Sequence, residues 1–348
     1  MTEAMGEAMR APAGARTAAT GALVGLALGD ALGFPTEFDD VPAILARCGP
    51  WRELALPEPA LVSDDTQMTL ALGRAVDAAL EGGTLTAATL VRPVRREYVA
   101  WWRSPDNDRA PGGTCLRACA LLADAHRPWA EASQIGSKGC GANMRVAPLG
   151  LVPGLTPEQR AGAAQLQSAL THGHPTGLAA SDLTARAVRA LADGVRPAEL
   201  PGLLRAHAHA QRTRYREDWL GDLWRRSTSP SPTAFIARGW DDCLRALDRL
   251  DAALAAPDRE ADPCLATGAG WIAEEALATG LLCFLLFPDE PVTALRRAAC
   301  SSGDSDSIAC LAGAFAGARL GADAWPREWT ARIEHRDELL ALGAAWDG

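Results

Sequence analysis

Two acidic segments, far apart in the chain, each precede a run of small apolar residues. The first is SDDT at 63–66, and the second is SGDSDS at 302–307. One Ser or Asp is enough to cap a helix, and acids in the first helical turn interact favourably with the helix dipole. Capping does not explain adjacent carboxylates, which repel one another unless a cation lies between them. The pattern predicts two helix starts that share a metal site, with paired helix caps as the alternative.

The ligand atoms of these segments indicate which metals they bind. Carboxylate and hydroxyl oxygens prefer hard divalent ions such as Mg²⁺ and Mn²⁺. The four carboxylates carry more negative charge than one such ion balances. We therefore predict two divalent ions, Mg²⁺ or Mn²⁺, as the cofactors.

A third segment, GLALGDALGFPTEF at 25–38, combines acids with regularly spaced glycines. The glycines that recur at every fourth position are Gly25, Gly29 and Gly33. This spacing places them on one face of a helix, where a second backbone can approach closely. Asp30 and Glu37 fall elsewhere on the segment. Its simplest interpretation is a tightly packed helix that stops near Pro35, with Asp30 capping a neighbouring helix.

The elements that position these segments are predicted to be helices. In residues 67–80, apolar residues recur with a period near 3.6. Similar patterns occur at 84–102, 113–125, 157–170, 177–193, 197–211, 233–255, 270–287, 291–300 and 307–320. Segments rich in β-branched residues and bounded by turns are almost absent. We predict an all-α fold, a single compact orthogonal bundle of about a dozen or more helices around a central di-metal cleft.

The predicted domain organisation is simple. Residues 18–348 are expected to form one all-helical domain, and residues 1–17 a disordered tail. The polar stretch at 225–235 is interpreted as a surface connection between helices, with a domain boundary as the alternative. The apolar stretch at 18–29 has the proportions of a signal peptide, but Asp30 follows at once, so we interpret it as a core helix.

Composition and charge exclude several classes of protein. The chain has 34 Lys and Arg against 43 Asp and Glu, a formal net charge of −9 and no long basic stripe. General nucleic-acid binding is therefore not expected. The most apolar run, 276–287, is too short to span a bilayer, so no membrane partner is predicted. The nine cysteines include no CxxC pair, which indicates reduced thiols in a cytoplasmic protein. We expect a monomer.

Together these segments resemble the ADP-ribosylglycohydrolases, the family that includes dinitrogenase reductase-activating glycohydrolase, ADP-ribosyl-arginine and ADP-ribosyl-serine hydrolases, and J1 crystallin. The resemblance extends in order over nearly the whole chain. Its six segments are GDALGFPTEF at 29–38, SDDTQMTLAL at 63–72, SKGCGANMRVAPLG at 137–150, ALTHGHPTGLAAS at 169–181, GAGWIAEEALATGL at 268–281 and SGDSDSIACLAGAFAGARLG at 302–321. One acidic motif alone would be weak support, whereas six motifs in order are specific.

The resemblance implies roles for individual residues. The metal ligands that it implies are Ser63, Asp64, Asp65, Asp304, Asp306 and Ser307. The residues that it places around the ADP-ribose are Gly113, Thr114, Gly139, Gly141, Asn143, Met144, Arg145 and His172. The candidate catalytic residues are Glu37, Asp65 and Asp304. Glu37 is expected beside the metals and the distal ribose, where Glu37 or Asp65 takes a proton from the attacking water.

The implied activity is hydrolysis of the bond between the anomeric carbon of ADP-ribose and a modified target. Such a reaction passes through an oxocarbenium-like transition state and releases ADP-ribose. The expected partner is ADP-ribose or an ADP-ribosylated substrate, and ADP-ribosylated nucleic acid stays open as a substrate. The alternatives are a catalytically weak ADP-ribose-binding or crystallin-like member, and a metal-dependent phosphohydrolase that releases AMP. The presence of every expected metal carboxylate favours an enzyme.

The substrate linkage is left open by one departure from the family pattern. Arginine-specific members tend to have an acid directly before a glycine-containing turn, whereas this chain has Ala110 and Pro111 before Gly112. Asp106 or Asp108 of the same loop is a candidate replacement. Linkage to arginine, to serine, to a nucleobase or to an O-acyl group is therefore compatible with the sequence.

Overall fold

The computed structural model describes residues 17–347, which form eighteen α-helices joined by turns and short 3₁₀ segments, without a β-strand in that range. The helices are α1 (Ala18–Gly33), α2 (Val41–Cys48), α3 (Asp64–Glu81), α4 (Ala87–Arg103), α5 (Gly113–Leu122), α6 (Trp129–Ala132), α7 (Ala147–Leu151), α8 (Pro157–Ala169), α9 (Pro175–Ala192), α10 (Leu200–Gln211), α11 (Glu217–Leu220), α12 (Pro232–Ala255), α13 (Cys264–Thr267), α14 (Ala273–Leu286), α15 (Pro291–Ala299), α16 (Ser305–Leu320), α17 (Arg327–Arg332) and α18 (Arg336–Asp347). The predicted all-α fold is confirmed.

The centre of the fold is the antiparallel contact between α1 and α16, two helices that are buried almost all round. A Cβ atom added at Gly29 would lie 2.1 Å from the carbonyl oxygen of Ala309. One added at Gly313 would lie 2.0 Å from the carbonyl oxygen of Gly25. Because side chains are absent at these points, the two backbones touch directly. The close approach predicted from the glycine spacing is confirmed.

This helix pair also fixes the position of the second acidic segment. Gly33, at the end of α1, faces the backbone at the start of α16, where an added Cβ would lie 2.5 Å from the Cα of Asp306. The Ser305 hydroxyl donates a hydrogen bond to the carbonyl oxygen of Gly33 at 3.0 Å. The acidic start of α16 is therefore held against the end of α1.

The other helices surround this pair. α14 and α15 pack on α16, α18 packs on α1, and α9 joins the centre to α7, α8 and α12. α3 packs on α4, and α4 continues the layer to α5. The Asp347 carboxylate accepts a 2.6 Å hydrogen bond from the Ala19 N–H, so α18 covers the start of α1.

The helices predicted from periodicity are all present, with ends that shift by a few residues. α3 begins at Asp64 because the acidic residues belong to its first turn. α2 and α18 were not predicted, and neither were the short helices α6, α7, α11, α13 and α17. Within the polar stretch at 225–235, Ser231 caps α12, and its hydroxyl accepts the Ala234 N–H at 3.1 Å. The predicted tail, apart from Thr17, lies outside the described residues.

One segment of residues 17–347, Ala18–Thr36, is long and apolar enough to cross a membrane, and 83% of its most apolar window is buried inside the molecule. In this fold it serves as the core helix α1, as its sequence predicts. All nine cysteines are free thiols.

Candidate active site

The starts of α3 and α16 meet at one cavity of about 160 Å³. Five carboxylates line it, and no Lys or Arg of residues 17–347 does. The lining residues are Glu37, Asp64, Asp65, Ala110, Gly112, Gly113, Thr114, Cys115, Gly139, Cys140, Gly141, Met144, His172, Trp271, Asp304, Asp306 and Ser307. The two segments that share a pattern in the sequence therefore share a site in the fold.

The start of α3 is held by a buried carboxylate from α1. Asp30 accepts hydrogen bonds from the Ser63 N–H at 2.9 Å, from the Thr66 N–H at 3.0 Å and from the Thr66 hydroxyl at 2.5 Å. Because Asp30 accepts the Ser63 and Thr66 N–H groups, the Asp64 and Asp65 carboxylates are not needed for them and face the cavity. The capping role predicted for Asp30 is confirmed.

The Ser63 side chain lies at the start of α3 and is hydrogen-bonded to the Asp306 carboxylate. It occupies the N-cap of α3, and its hydroxyl accepts the Asp65 N–H at 3.3 Å. Ser63 is not among the lining residues. The hydroxyl thus supports the first turn of α3, and its role as a metal ligand stays a prediction.

The start of α16 is built differently. Asp304 occupies the N-cap position, yet its side chain makes no capping hydrogen bond. Its backbone N–H donates to the carbonyl oxygen of Ala269 at 2.8 Å. One Asp306 oxygen accepts the Ser307 N–H at 2.9 Å. The Asp304 carboxylate therefore caps no N–H group of the helix, and it lines the cavity.

Glu37 completes the most compact group of ligand atoms. One carboxylate oxygen each from Glu37, Asp304 and Asp306 lie within 4.8 Å of one another. The short turn after α1 holds Glu37 there, because the Thr36 hydroxyl donates to the carbonyl oxygen of Ala299 at 2.6 Å. The sequence predicted Glu37 beside the metals. Its position in the structure is also suited to a metal ligand.

Burial and mutual repulsion raise the pKa values of these acids. Burial first, and then the charge of Asp306, raise the pKa of Glu37 to about 9 and that of Asp64 to about 8. The same two causes raise the pKa of Asp65 and of Asp304 well above the usual range. Such a group of buried acids is stabilised by protons or by cations.

The donor set fits hard divalent ions. Glu37 Oε2 and Asp65 Oδ2 are buried and receive no hydrogen bond from residues 17–347. Oxygen atoms of this kind, close together and without a neighbouring cationic side chain in the cavity wall, match the ligands of Mg²⁺ and Mn²⁺. Asp64, Asp65, Asp304 and Asp306 would hold the ions, with Glu37 at their edge.

The opposite wall of the cavity is formed by the glycine-rich loop and the start of α5. Gly141 packs so closely that an added Cβ would lie 2.9 Å from Cys115 Sγ and from His172 Cε1. The Thr114 and Ser137 hydroxyls are 2.9 Å apart and join α5 to the loop. Gly113, Gly139 and Met144 line the same wall. Six of the residues predicted to surround ADP-ribose therefore lie together.

His172 is a neutral member of this wall. Burial first, and then the charges of Arg145 and Arg117, lower the pKa of His172 to about 3. Its Nδ1 lies 2.9 Å from the Thr171 hydroxyl. The neutral ring can donate or accept one hydrogen bond at the cavity.

Asn143 and Arg145 lie behind the wall. The Thr184 hydroxyl donates to Asn143 Oδ1 at 2.6 Å. Arg145 donates to the Gly141 carbonyl oxygen at 2.8 Å, and its guanidinium lies 4.4 Å from the centre of the Tyr98 ring. Because internal partners occupy their polar groups, these side chains shape the loop and do not line the cavity.

An aromatic pair at the cavity was missed by sequence reasoning. The rings of Phe38 and Trp271 stack with centroids 5.3 Å apart and an angle of 18° between their planes. Trp271 lines the cavity, and Phe38 is 70% exposed with a φ of 70°. The available signal was an aromatic residue inside the glycine-rich GAGW segment.

The loop between α4 and α5 contributes backbone to the cavity. Ala110 and Gly112 line it, and the Gly112 N–H donates to Asp64 Oδ2 at 3.4 Å. Neither Asp106 nor Asp108 is among the lining residues. The two candidate replacements from this loop therefore lie outside the cavity lining.

Comparison with known proteins gives the same picture. A family model described as ADP-ribosylglycohydrolase matches residues 11–347. The chain is 27% identical over 338 residues to ADP-ribosyl-[dinitrogen reductase] glycohydrolase of Rhodospirillum rubrum, covering 93% of this chain and 96% of the relative. It is 27% identical over 348 residues to ADP-ribosylhydrolase ARH3 of Mus musculus, covering 92% of this chain and 89% of the relative.

A solved structure named ADP-ribosylglycohydrolase-related protein complex has the same fold. Its TM-score is 0.67 at 22% identity, and the match covers 96% of this chain and 98% of that one. The range matched by the family model, residues 11–347, includes the helices described above and every residue that lines the cavity. The chain belongs to the ADP-ribosylglycohydrolase family.

Proposed function

We propose that the protein is a divalent-metal-dependent hydrolase that cleaves the bond between the anomeric carbon of ADP-ribose and a modified target. The observation that carries the proposal is the meeting of two acidic helix starts and Glu37 in one buried cavity. A catalytically weak relative would need fewer of these carboxylates, so their complete set supports an enzyme. Two divalent ions, Mg²⁺ or Mn²⁺, are the proposed cofactors.

In the proposed reaction, the acidic wall and the glycine-rich wall of the cavity have different roles. Divalent ions held by Asp64, Asp65, Asp304 and Asp306 would lower the pKa of a bound water and polarise ribose hydroxyls. Glu37 or Asp65 takes the proton from the attacking water, since each has a buried carboxylate oxygen without a hydrogen-bond donor in the described chain. Asp304 orients the reacting groups from the start of α16. The wall at Gly139 and Gly141 holds the diphosphate side of the substrate.

The products distinguish this function from that of a phosphohydrolase. Arginine-, serine- and DNA-linked ADP-ribose and O-acetyl-ADP-ribose are incubated with the protein and Mg²⁺ or Mn²⁺. We expect intact ADP-ribose from at least one substrate, and no AMP. Release of AMP would identify a phosphohydrolase, and unchanged substrates under every metal condition would contradict the proposal.

The role of Glu37 is tested by Glu37→Gln, with Glu53→Gln outside the cavity as the matched control. We expect Glu37→Gln to retain ADP-ribose binding while kcat falls, because the proton acceptor is lost and the cavity shape is kept. The control should turn over as the unmodified protein does. Equal kcat in both variants would remove Glu37 from the mechanism.

A further inference from the structure

A second surface of the molecule has the opposite charge. α4 and the end of α5 form an open groove of about 390 Å³. Four arginines line it, and the other lining residues are apolar, so no acid is among them. The arginines are Arg92, Arg95, Arg96 and Arg103, and the floor includes Val99 and Leu122. Four cations around an acid-free groove stand out in a chain of net charge −9.

Arg95 holds the two sides of the groove together. Its guanidinium donates to the carbonyl oxygens of Leu122 at 2.7 Å and of Arg127 at 3.0 Å, and also to that of Asp124. These contacts satisfy carbonyl groups at the end of α5, where a helix carries partial negative charge. The end of α5 is thereby fixed against α4.

The other three arginines are exposed and available to a partner. Arg96 pairs with Glu97 at 3.0 Å, but Glu97 is shared with Arg74 at 2.8 Å. Arg92 and Arg103 form no ion pair with residues 17–347. The positive charge of the groove therefore exceeds the negative charge that the fold places beside it.

α5 connects this groove to the acidic cavity. Gly113 and Thr114, at its start, line the cavity, whereas Leu122, at its end, lines the groove. Nine residue steps at 1.5 Å give a separation of about 14 Å. An extended peptide covers that distance with about four residues.

We propose that this groove binds an acidic segment of a protein substrate, partly apolar, while the modified residue of that substrate enters the cavity. The proposal rests on the proposed function. Exposed guanidinium groups bind carboxylates in bidentate geometry, and the apolar floor matches an apolar side chain between the acids. No aromatic ring lines the groove for base stacking, and the net negative charge opposes nucleic-acid binding, so a peptide is favoured.

Binding is tested first without catalysis. The probe is a fluorescein-labelled peptide of alternating Glu and Leu, measured by anisotropy against the full chain. We expect Arg92→Glu/Arg96→Glu to weaken binding by about tenfold at low salt, with the difference shrinking at high salt. The matched control, Arg225→Glu/Arg327→Glu, makes the same charge change at exposed residues outside the groove and should bind as the unmodified protein does. Equal binding by both variants would overturn the proposal.

Catalysis is tested with ADP-ribosylated peptides that carry Glu or Gln about four residues from the modified residue. We expect the groove variant to lower kcat/KM for the Glu peptide only, and to hydrolyse O-acetyl-ADP-ribose as before. If the unmodified protein hydrolyses none of these, the proposed function fails, while the anisotropy result still decides the groove. Groove-dependent binding of a single-stranded oligonucleotide in place of the peptide would overturn the peptide in favour of nucleic acid.

Discussion

The starts of α3 and α16 look alike in sequence but are stabilised in different ways. At α3, a carboxylate from another helix, Asp30, takes the free N–H groups of Ser63 and Thr66. At α16, the cap residue Asp304 makes no capping bond, and Asp306 accepts the neighbouring Ser307 N–H itself. Acids at a helix start are therefore weak indicators of which residue caps it. In both helices, at least one acid is left facing the cavity.

Asp306→Asn tests whether the acids at the start of α16 bind a cation or cap the helix, and we expect it to have the largest effect. The Asp306 charge raises the pKa of Glu37, of Asp64 and of Asp65, so it lies at the electrostatic centre of the cluster. We expect metal-dependent kcat/KM to fall by about 100- to 1,000-fold. The thermal midpoint of the metal-free protein should stay equal or rise, because repulsion between carboxylates is relieved.

Calorimetric titration with Mn²⁺ and thermal melts of the same variant check both parts. A large fall in the melting midpoint with metal affinity retained would show that Asp306 serves as a cap.

Asp30→Asn should instead lower the stability of the protein, whether or not metal is present. The change removes one acceptor from a buried carboxylate that receives N–H groups and a hydroxyl, at a cost of about 1 to 3 kcal/mol in the free energy of unfolding. Denaturant melts should show this loss with and without Mn²⁺. Asp40→Asn is the control, because Asp40 caps the exposed α2 and should matter less. A loss seen only with metal present would contradict the capping role.

The last prediction concerns how the free energy of unfolding depends on pH. Since burial and neighbouring charge raise the pKa of Asp64 from 3.8 to about 8, the metal-free folded protein holds protons that the unfolded chain releases. The stabilising contribution of the protonated Asp64 is complete below about pH 4, the pKa of this group in the unfolded chain, and is lost as pH rises through about 8.

Urea melts across this range should show the decline in chelator and a flatter profile with Mn²⁺. A rise in metal-free stability from pH 4 to pH 8 would contradict the raised pKa values.

The helices could be predicted because apolar residues recur with a regular period. The meeting of the two acidic segments could be predicted because each has carboxylates close together in the sequence. Apolar residues at a 3.6 period fixed α3, and adjacent carboxylates indicated a cation. α2 was missed because only Ile44 among its residues is fully buried, which leaves too weak a period. The Phe38–Trp271 stack joins two segments far apart in the chain, so local patterns do not predict it.

The direction of a side chain within a loop is also not predictable from the sequence. Asn143 and Arg145 belong to the predicted loop, yet their partners Thr184 and Tyr98 come from other helices and draw them away from the cavity. Spacing along the chain indicates which backbone forms a wall. It does not indicate which side chains point through that wall.

The glycine contact between α1 and α16 has a consequence for biosynthesis. Ser305 and Gly33 meet across 272 positions of the chain, so the two halves of the proposed ion site reach one another only when a very long loop closes. A nascent polypeptide still lacking α16 has no means of assembling the site. We therefore expect ion affinity only in the finished molecule, and its gain during refolding should mark the moment at which both ends have docked.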